Sequence, residues 1–147
     1  MCLNVFRCRI DEIKYIRDAI VNVKGEEDPC FFNEEAIKEF LYNDDNWFYV
    51  ATMDEKVTAY AIAYVQKRID TTKGMICLYE IGTLKCCRKT GIAKKVLNKI
   101  IEDGKINDAM KIWIPTNMSN EAACALYRSI GAEEPEEKDE IIYNYRY

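Results

Sequence analysis

A basic stretch of the sequence that leads into a helix could bind an anionic group. The stretch runs from Arg88 to Lys94, after a predicted strand and into an amphipathic helix that we expect to begin at Gly91. The first backbone N–H groups of a helix have no partner within it, and the helix dipole makes that end positive. Because Gly91 and Ala93 have little or no side chain, a phosphate can approach the backbone there. The stretch therefore predicts a pyrophosphate site, although it has neither Walker-loop nor Rossmann spacing.

The absence of histidine from the sequence excludes several classes of catalytic site. No Ser-His-Asp triad, Cys-His dyad or HExxH zinc site can be built from this chain. Proton transfer near neutral pH must therefore use Glu, Asp, Tyr, Cys, Lys, a backbone group or water. The seven cysteines form no C-x-x-C pair, so we expect no structural zinc and no other metal.

Hydrophobic periodicity predicts the elements that must position such a site. Strands are predicted over residues 3–10, 47–53, 57–66, 75–83, 110–114 and 140–147. Helices are predicted from Asp11, from Asn33, from Gly91 and over 120–130. The order β α α β β β α β α β predicts a mixed α/β fold with one central, mostly antiparallel sheet and helices on both faces. We expect a single domain over residues 1–147.

Two local features refine this prediction. The polar run from Asp54 to Lys56 is typical of a tight turn that closes a hairpin. Gly82, near the end of the strand over 75–83, indicates either a bulge or a close approach of another group to the backbone.

The charge distribution places one basic region between two acidic ones. Residues 26–45 hold eight acids and one base, a net charge of −7. Residues 85–105 hold seven bases and two acids, a net charge of +5, and residues 133–140 hold six acids and one base, a net charge of −5. The whole chain has a net charge of −4, which argues against a nucleic-acid partner.

The sequence predicts a cytoplasmic location without membrane contact. The chain has no apolar run near the ~20 residues that a transmembrane helix needs, and its beginning lacks the apolar core of a signal peptide. An odd number of cysteines in such a chain is typical of reduced thiols.

Two motifs resemble those of the GNAT N-acetyltransferase superfamily. Arg88-x-x-Gly91-x-Ala93 is similar to that family's R/Q-x-x-G-x-G/A acetyl-CoA pyrophosphate motif, and it follows a strand ending Tyr79-Glu80-Ile81-Gly82-Thr83. The run from Asn120 to Gly131 is similar to the family's N-x-x-A-x-x-L-Y-x-x-h-G helix. The order of elements also matches over nearly the whole chain. Residues 76–93 most resemble the aminoglycoside 3-N-acetyltransferase branch, which has an acidic residue at the position of Glu80.

The resemblance implies an acetyl-CoA site with assigned residues. The backbone around Gly82 would pair with the pantetheine arm as an added strand, where the sheet splays open next to residues 110–114. Asn120 would hydrogen-bond the cofactor, although it could equally be a helix cap. The implied cofactor-binding residues are Ile81, Gly82, Thr83, Arg88, Lys89, Thr90, Gly91, Ile92, Ala93, Lys94 and Asn120.

The resemblance also implies two catalytic residues, each with a plainer interpretation. Tyr127 would donate a proton to the departing thiolate, but it could simply be a core tyrosine. Glu80, which we expect on the opposite face from Tyr79 and Ile81, would deprotonate the acceptor amine directly or through water. It could instead be a solvent-facing or salt-bridged glutamate.

The expected reaction is direct transfer of acetyl from acetyl-CoA to a primary amine in a ternary complex. A thiol route through Cys86 or Cys87 is an alternative, because the basic loop could lower a thiol pKa. Since the acidic regions would face the acceptor, we expect a small, polycationic amine of the aminoglycoside or polyamine kind. The alternatives are a protein Nα- or lysine-directed acetyltransferase and a catalytically degenerate acyl-CoA sensor. A homodimer is a possible assembly.

Overall fold

A computed structural model describes residues 2–137 and 142–147 of the chain. Its centre is a five-stranded sheet in the order β1-β2-β3-β4-β5. Neighbours from β1 to β4 are antiparallel, and only β5 runs parallel to its neighbour, β4. The strands are β1 (Leu3–Arg7), β2 (Asn46–Met53), β3 (Lys56–Gln66), β4 (Met75–Thr83) and β5 (Lys111–Trp113).

Four α-helices accompany the sheet in the described residues. They are α1 (Ile13–Asp18), α2 (Glu34–Tyr42), α3 (Ile92–Ile106) and α4 (Glu121–Ser129). Asparagine side chains cap α2 and α4: Asn33 accepts from the backbone N of Ala36 at 3.0 Å, and Asn120 accepts from that of Ala123 at 3.1 Å. Every helix in the described part of the chain is too short or too polar to span a bilayer.

The core consists of two apolar clusters, one on each face of the sheet. On one face, Trp47, Tyr49 and Leu78 pack against the buried stripe of α3, as its three- and four-residue spacing predicts. On the other, Phe48 and Tyr60 stack and pack against the segment that contains α1 and against α2. The prediction of a mixed α/β fold with helices on both faces is therefore confirmed. We refer to the two sides as the α3 face and the α1 face.

The predicted hairpin between β2 and β3 is also confirmed. Asp54 and Glu55 form its two-residue turn with φ angles of 48° and 65°. Positive φ at both central residues is what a tight turn between right-twisted strands requires.

The segment before β2 differs from the prediction of a helix from Asp11, in which Asp11 would be the capping residue. Asp11 lies inside a 3-10 turn, Ile10–Glu12, and the backbone N of Arg9 donates to Glu12 at 2.6 Å. The chain therefore turns two residues earlier, at Arg9. Beyond α1 it continues as a π-helical segment, Ala19–Val23, and a 3-10 turn, Lys24–Glu26, so that both Ala19 and Val23 stay buried.

The predicted last strand, residues 140–147, is not present in the part that the structure describes. Residues 142–147 are exposed and form no strand, and residues 138–141 lie outside the described ranges. The alternation of apolar and polar residues favours an extended conformation. A strand also needs a neighbouring strand that pairs with its backbone, and residues 142–147 have none among the described residues.

Candidate active site

The sheet opens between β4 and β5. These strands pair only from Met75↔Lys111 to Cys77↔Trp113. From Leu78 to Thr83, β4 keeps β3 as its neighbour on one edge, and no strand of the described residues pairs with the other. An extended ligand could therefore add to this edge by backbone hydrogen bonds. Ile81, Gly82 and Thr83 lie in this part of β4.

The predicted anion site lies at the start of α3, close to the same part of β4. Ile92, the first residue of α3, is buried in the cluster against which Ile81 packs. Gly91 precedes the helix with φ 83°, and no side chain caps the helix there. Since this left-handed conformation suits glycine and a Cβ would meet no atom within 4 Å, the space before the helix is open. The helix start thus offers unpaired N–H groups next to the sheet opening.

The loop before α3 is held by hydrogen bonds of its own. Thr90 donates from its hydroxyl to the carbonyl of Cys87 at 2.5 Å. Lys89 has a positive φ of 59°, so the backbone turns sharply before the helix. Ala93 and Lys94 lie in the first turn of α3, and Lys94 is exposed.

The guanidinium of Arg88 is already paired, so it does not present an unpaired positive charge to the space before α3. Its guanidinium donates to the carbonyl of Thr83 at 3.3 Å and forms an ion pair with Glu27. That hydrogen bond lowers the pKa of the Glu27 carboxyl. Nearby, the backbone N of Lys85 donates to Glu26 at 2.7 Å. Glu26 and Glu27, which we expected to face an incoming amine, therefore pair with the basic loop in this structure.

Glu80 lies on the α1 face, one residue after a bulge in β4. The register passes from Ile62↔Glu80 to Ala63↔Leu78, which leaves Tyr79 unpaired. Because of this extra residue, Tyr79 and Glu80 share one face, and the prediction that they lie on opposite faces is wrong. The ring of Tyr79 contacts that of Tyr64, with centroids 5.6 Å apart.

The predicted bulge at Gly82 is likewise displaced to Tyr79, but the predicted close approach occurs. Gly82 pairs with Tyr60, and a Cβ at Gly82 would lie 2.5 Å from the Tyr60 ring. The group that comes close to Gly82 is therefore a side chain of β3.

Two residues that the sequence analysis missed hold the Glu80 carboxylate. The Lys24 ammonium lies 2.9 Å from Oε1 and 3.0 Å from Oε2, and the Tyr60 hydroxyl donates to Oε1. Burial and the hydrogen bond to Glu80 raise the pKa of Tyr60, so its hydroxyl stays protonated. Lys24 is 56 positions from Glu80 in the chain, and no local pattern links the two.

Tyr127 lies on the other side of the sheet. With Leu126 and Ile130 it packs from α4 onto the cluster of the α3 face. Its hydroxyl has no hydrogen-bond partner among the described residues, and burial raises its pKa. Tyr127 is therefore protonated at neutral pH and can give a proton.

The thiol of Cys87, next to Cys86, is not activated by the basic loop as the thiol alternative requires. The two sulfur atoms lie 3.6 Å apart. Burial and the contact with Cys86 raise the pKa of Cys87, so the expected lowering is wrong for this thiol.

Comparisons with known proteins agree with this architecture. Residues 17–132 match the model of the acetyltransferase (GNAT) family. No curated protein matches the sequence. The fold is similar to an aminoglycoside acetyltransferase, meta-AAC0020, from an uncultured soil metagenomic sample in complex with sisomicin (TM-score 0.85, 14% identity, 99% of this chain and 95% of that chain).

Two further solved structures have a similar fold. One is AAC(6')-Iy in complex with the bisubstrate analogue CoA-S-monomethyl-acetylneamine (TM-score 0.81, 18% identity, 99% of each chain). The other is a ribosomal-protein-alanine N-acetyltransferase from Brucella melitensis biovar Abortus 2308 (TM-score 0.77, 13% identity, 98% of this chain and 100% of that chain). At these identities the likeness concerns the fold alone. The family model, which covers most of the chain, shows that the protein belongs to the acetyltransferase (GNAT) family, whose members use acetyl-CoA.

Proposed function

We propose that this chain transfers an acetyl group from acetyl-CoA to a primary amine of a small, polycationic acceptor. One observation carries the proposal: Glu80 presents a carboxylate in the part of β4 beside the opening, and Tyr127, a protonated tyrosine, packs from α4 onto the other face of the sheet. Acyl transfer to an amine needs both a group that takes a proton and a group that gives one.

The co-substrate fits this part of the molecule. The free edge of β4 around Ile81, Gly82 and Thr83 suits an extended amide-containing arm, and the uncapped start of α3 suits a pyrophosphate. The residues that would surround the pyrophosphate are Arg88, Lys89, Thr90, Gly91, Ile92, Ala93 and Lys94. Arg88 would exchange Glu27 for a phosphate. Asn120 already accepts a hydrogen bond as a helix cap, which leaves its side-chain NH₂ for the co-substrate.

The proposed acetyl transfer uses one residue on each face of the sheet, Glu80 and Tyr127. Glu80 would take a proton from the acceptor ammonium, directly or through water, and the neutral amine would attack the thioester carbonyl carbon. Backbone N–H groups of β4 would stabilise the oxyanion. When the carbon–sulfur bond breaks, the thiolate would take the proton of Tyr127. The nitrogen would lose its second proton to water to give the neutral amide, and Tyr127 would regain a proton from solvent. Holding both substrates in one opening would supply much of the acceleration.

The surroundings of Glu80 on the α1 face, where the acceptor would bind, suit a cation. Asp28 acts electrostatically on Lys24 next to Glu80, so negative charge surrounds an ammonium there. The rings of Tyr64 and Tyr79 lie on the same face and could cover a sugar or an alkyl chain. The fold likeness to aminoglycoside acetyltransferases supports the same class of acceptor.

A protein acceptor is the second candidate. The likeness to a ribosomal-protein-alanine N-acetyltransferase favours it, since a peptide amino terminus is also a primary amine. The two candidates differ in acceptor and share the acetyl-CoA site.

A panel of amines distinguishes them. Release of the CoA thiol from acetyl-CoA would be followed with spermidine, an aminoglycoside, a monoamine and a peptide that begins with alanine. We expect the highest kcat/KM with spermidine or the aminoglycoside. Turnover confined to the peptide would establish the second candidate, and no amine-dependent release at all would refute both.

A further inference from the structure

The Glu80 carboxylate is already bound to an ammonium group from the protein itself. The Nζ atom of Lys24 lies within 3.0 Å of both carboxylate oxygens. The two side chains are only 32% and 25% exposed. Lys24 has no other ion-pair partner among the described residues, and it lies in the short 3-10 turn Lys24–Glu26. The contact thus depends on one side chain that extends from an irregular segment.

The surroundings of Lys24 favour a positive charge. Burial alone would lower the pKa of Lys24, but the hydrogen bond to Glu80 and the charges of Glu80 and Asp28 outweigh it, and its pKa is raised. Tyr60 supports the carboxylate from the other side through its hydroxyl. This arrangement is a partly buried binding site for a primary ammonium.

An acceptor amine would need the same place. A primary amine with an ordinary pKa near that of lysine arrives as an ammonium at neutral pH. To lose its proton directly to Glu80 it must contact that carboxylate, where a second ammonium would meet the charge of Lys24. Two like charges in contact repel each other strongly in a partly buried site.

We propose that Lys24 is an internal occupant of the acceptor-amine site, and that the acceptor ammonium displaces it from Glu80. This inference rests on the proposed function and adds a specificity-determining residue to it. Lys24 then competes with the acceptor for Glu80. An amine with one positive charge binds poorly, because that charge alone must displace Lys24. An acceptor with several positive charges displaces Lys24 more readily, because its other charges interact with nearby carboxylates such as that of Asp28.

The test is the effect of Lys24→Met on acceptor kinetics. Methionine keeps most of the apolar stem and removes the charge, so we expect the KM for spermidine to fall roughly three- to tenfold. The KM for a monoamine should fall at least as much, and kcat should change little. Lys73→Met is the matched control, because it breaks an exposed ion pair with Asp108 at 3.2 Å and should leave both constants unchanged.

A labelling experiment on the unmodified chain gives a second readout. An N,N-dimethylated form of the best acceptor keeps its positive charge but cannot be acylated. When it binds, it should expose Lys24 and increase the rate at which an amine-reactive ester labels that residue, measured by mass spectrometry. Labelling of Lys73 should not change.

The outcomes separate this inference from the proposed function. If the parent enzyme acetylates amines but Lys24→Met lowers kcat or raises the KM, Lys24 holds Glu80 in position and the inference is wrong. Slower or unchanged labelling of Lys24 would refute it as well. If the parent enzyme acetylates no amine, the proposed function fails first and the inference fails with it.

Discussion

At the scale of single residues, the chemistry depends on the proton of the Tyr127 hydroxyl and on the hydrogen-bond donors around the Glu80 carboxylate. Tyr127 is kept protonated by burial, and Glu80 is surrounded by donors from Lys24 and Tyr60. The sequence motif could indicate Tyr127, because its signature is local to one helix. It could not indicate Lys24, because that contact arises only when the turn after α1 folds over β4.

Replacement of Tyr127 by Phe tests the proton donor. The ring keeps its packing against the α3-face cluster and only the hydroxyl is lost. If Tyr127 is the general acid, kcat should fall roughly 10²–10⁴-fold while the affinity for acetyl-CoA stays the same. Tyr42→Phe is the matched control, since Tyr42 is 82% exposed on α2. A kcat within about twofold of the parent enzyme would reduce Tyr127 to a packing residue.

At the scale of elements, local patterns predicted the parts that do not depend on distant partners. The helix after Gly91 has its predicted apolar stripe, and β4 has its predicted bounds, because the alternation and spacing lie within each segment. The bulge at Tyr79 depends on the register with β3, which no window of β4 contains. The sequence therefore indicated the strand that carries Glu80 but not the face on which Tyr79 lies.

Replacement of Gly91 by Glu tests the anion site at the start of α3. The new side chain would carry negative charge into the space where a pyrophosphate would lie, so calorimetric binding of acetyl-CoA should be lost. Gly131→Glu is a close control: Gly131 also has a left-handed φ, 82°, and open space for a Cβ, but it follows α4. Equal loss of affinity in both variants would mean that backbone strain, and not the site, explains the effect.

Replacement of Gly82 by Ala tests the contact between β4 and β3. Because a Cβ there would lie 2.5 Å from the Tyr60 ring, the ring must move, and the free energy of unfolding should fall by about 1–3 kcal/mol in urea denaturation. In a Tyr60→Leu background the same substitution should lower the free energy of unfolding by much less. Equal costs in the two backgrounds would show that the Tyr60 ring is not the obstacle.

At the scale of the whole molecule, charge is arranged differently from its arrangement along the sequence. Residues 26–27 and 85–88 are separate in sequence, with opposite net charges, but they pair in the fold. Glu34 likewise pairs with Arg17 of α1 at 3.6 Å. Charge counts along the chain could not show this, because pairing depends on which surfaces meet.

The remaining negative charge predicts how salt affects catalysis. If a polycationic acceptor is attracted to the Glu80 side, its kcat/KM should fall as salt screens charges beyond about 8 Å at physiological ionic strength. A monoamine should show a much weaker dependence under the same conditions. Identical salt dependence for spermidine and the monoamine would contradict electrostatic attraction of a polycation.

The destination of the acetyl group tests the account most directly. Acetyl-CoA labelled with carbon-13 in its acetyl group would be incubated with the protein and spermidine or an aminoglycoside, and all products analysed by mass spectrometry. We predict that the label appears on a primary amine of the acceptor, in amounts equal to the CoA released, with none on the protein. Label recovered only as free acetate, or bound to Cys86 or Cys87, would contradict direct transfer to an amine.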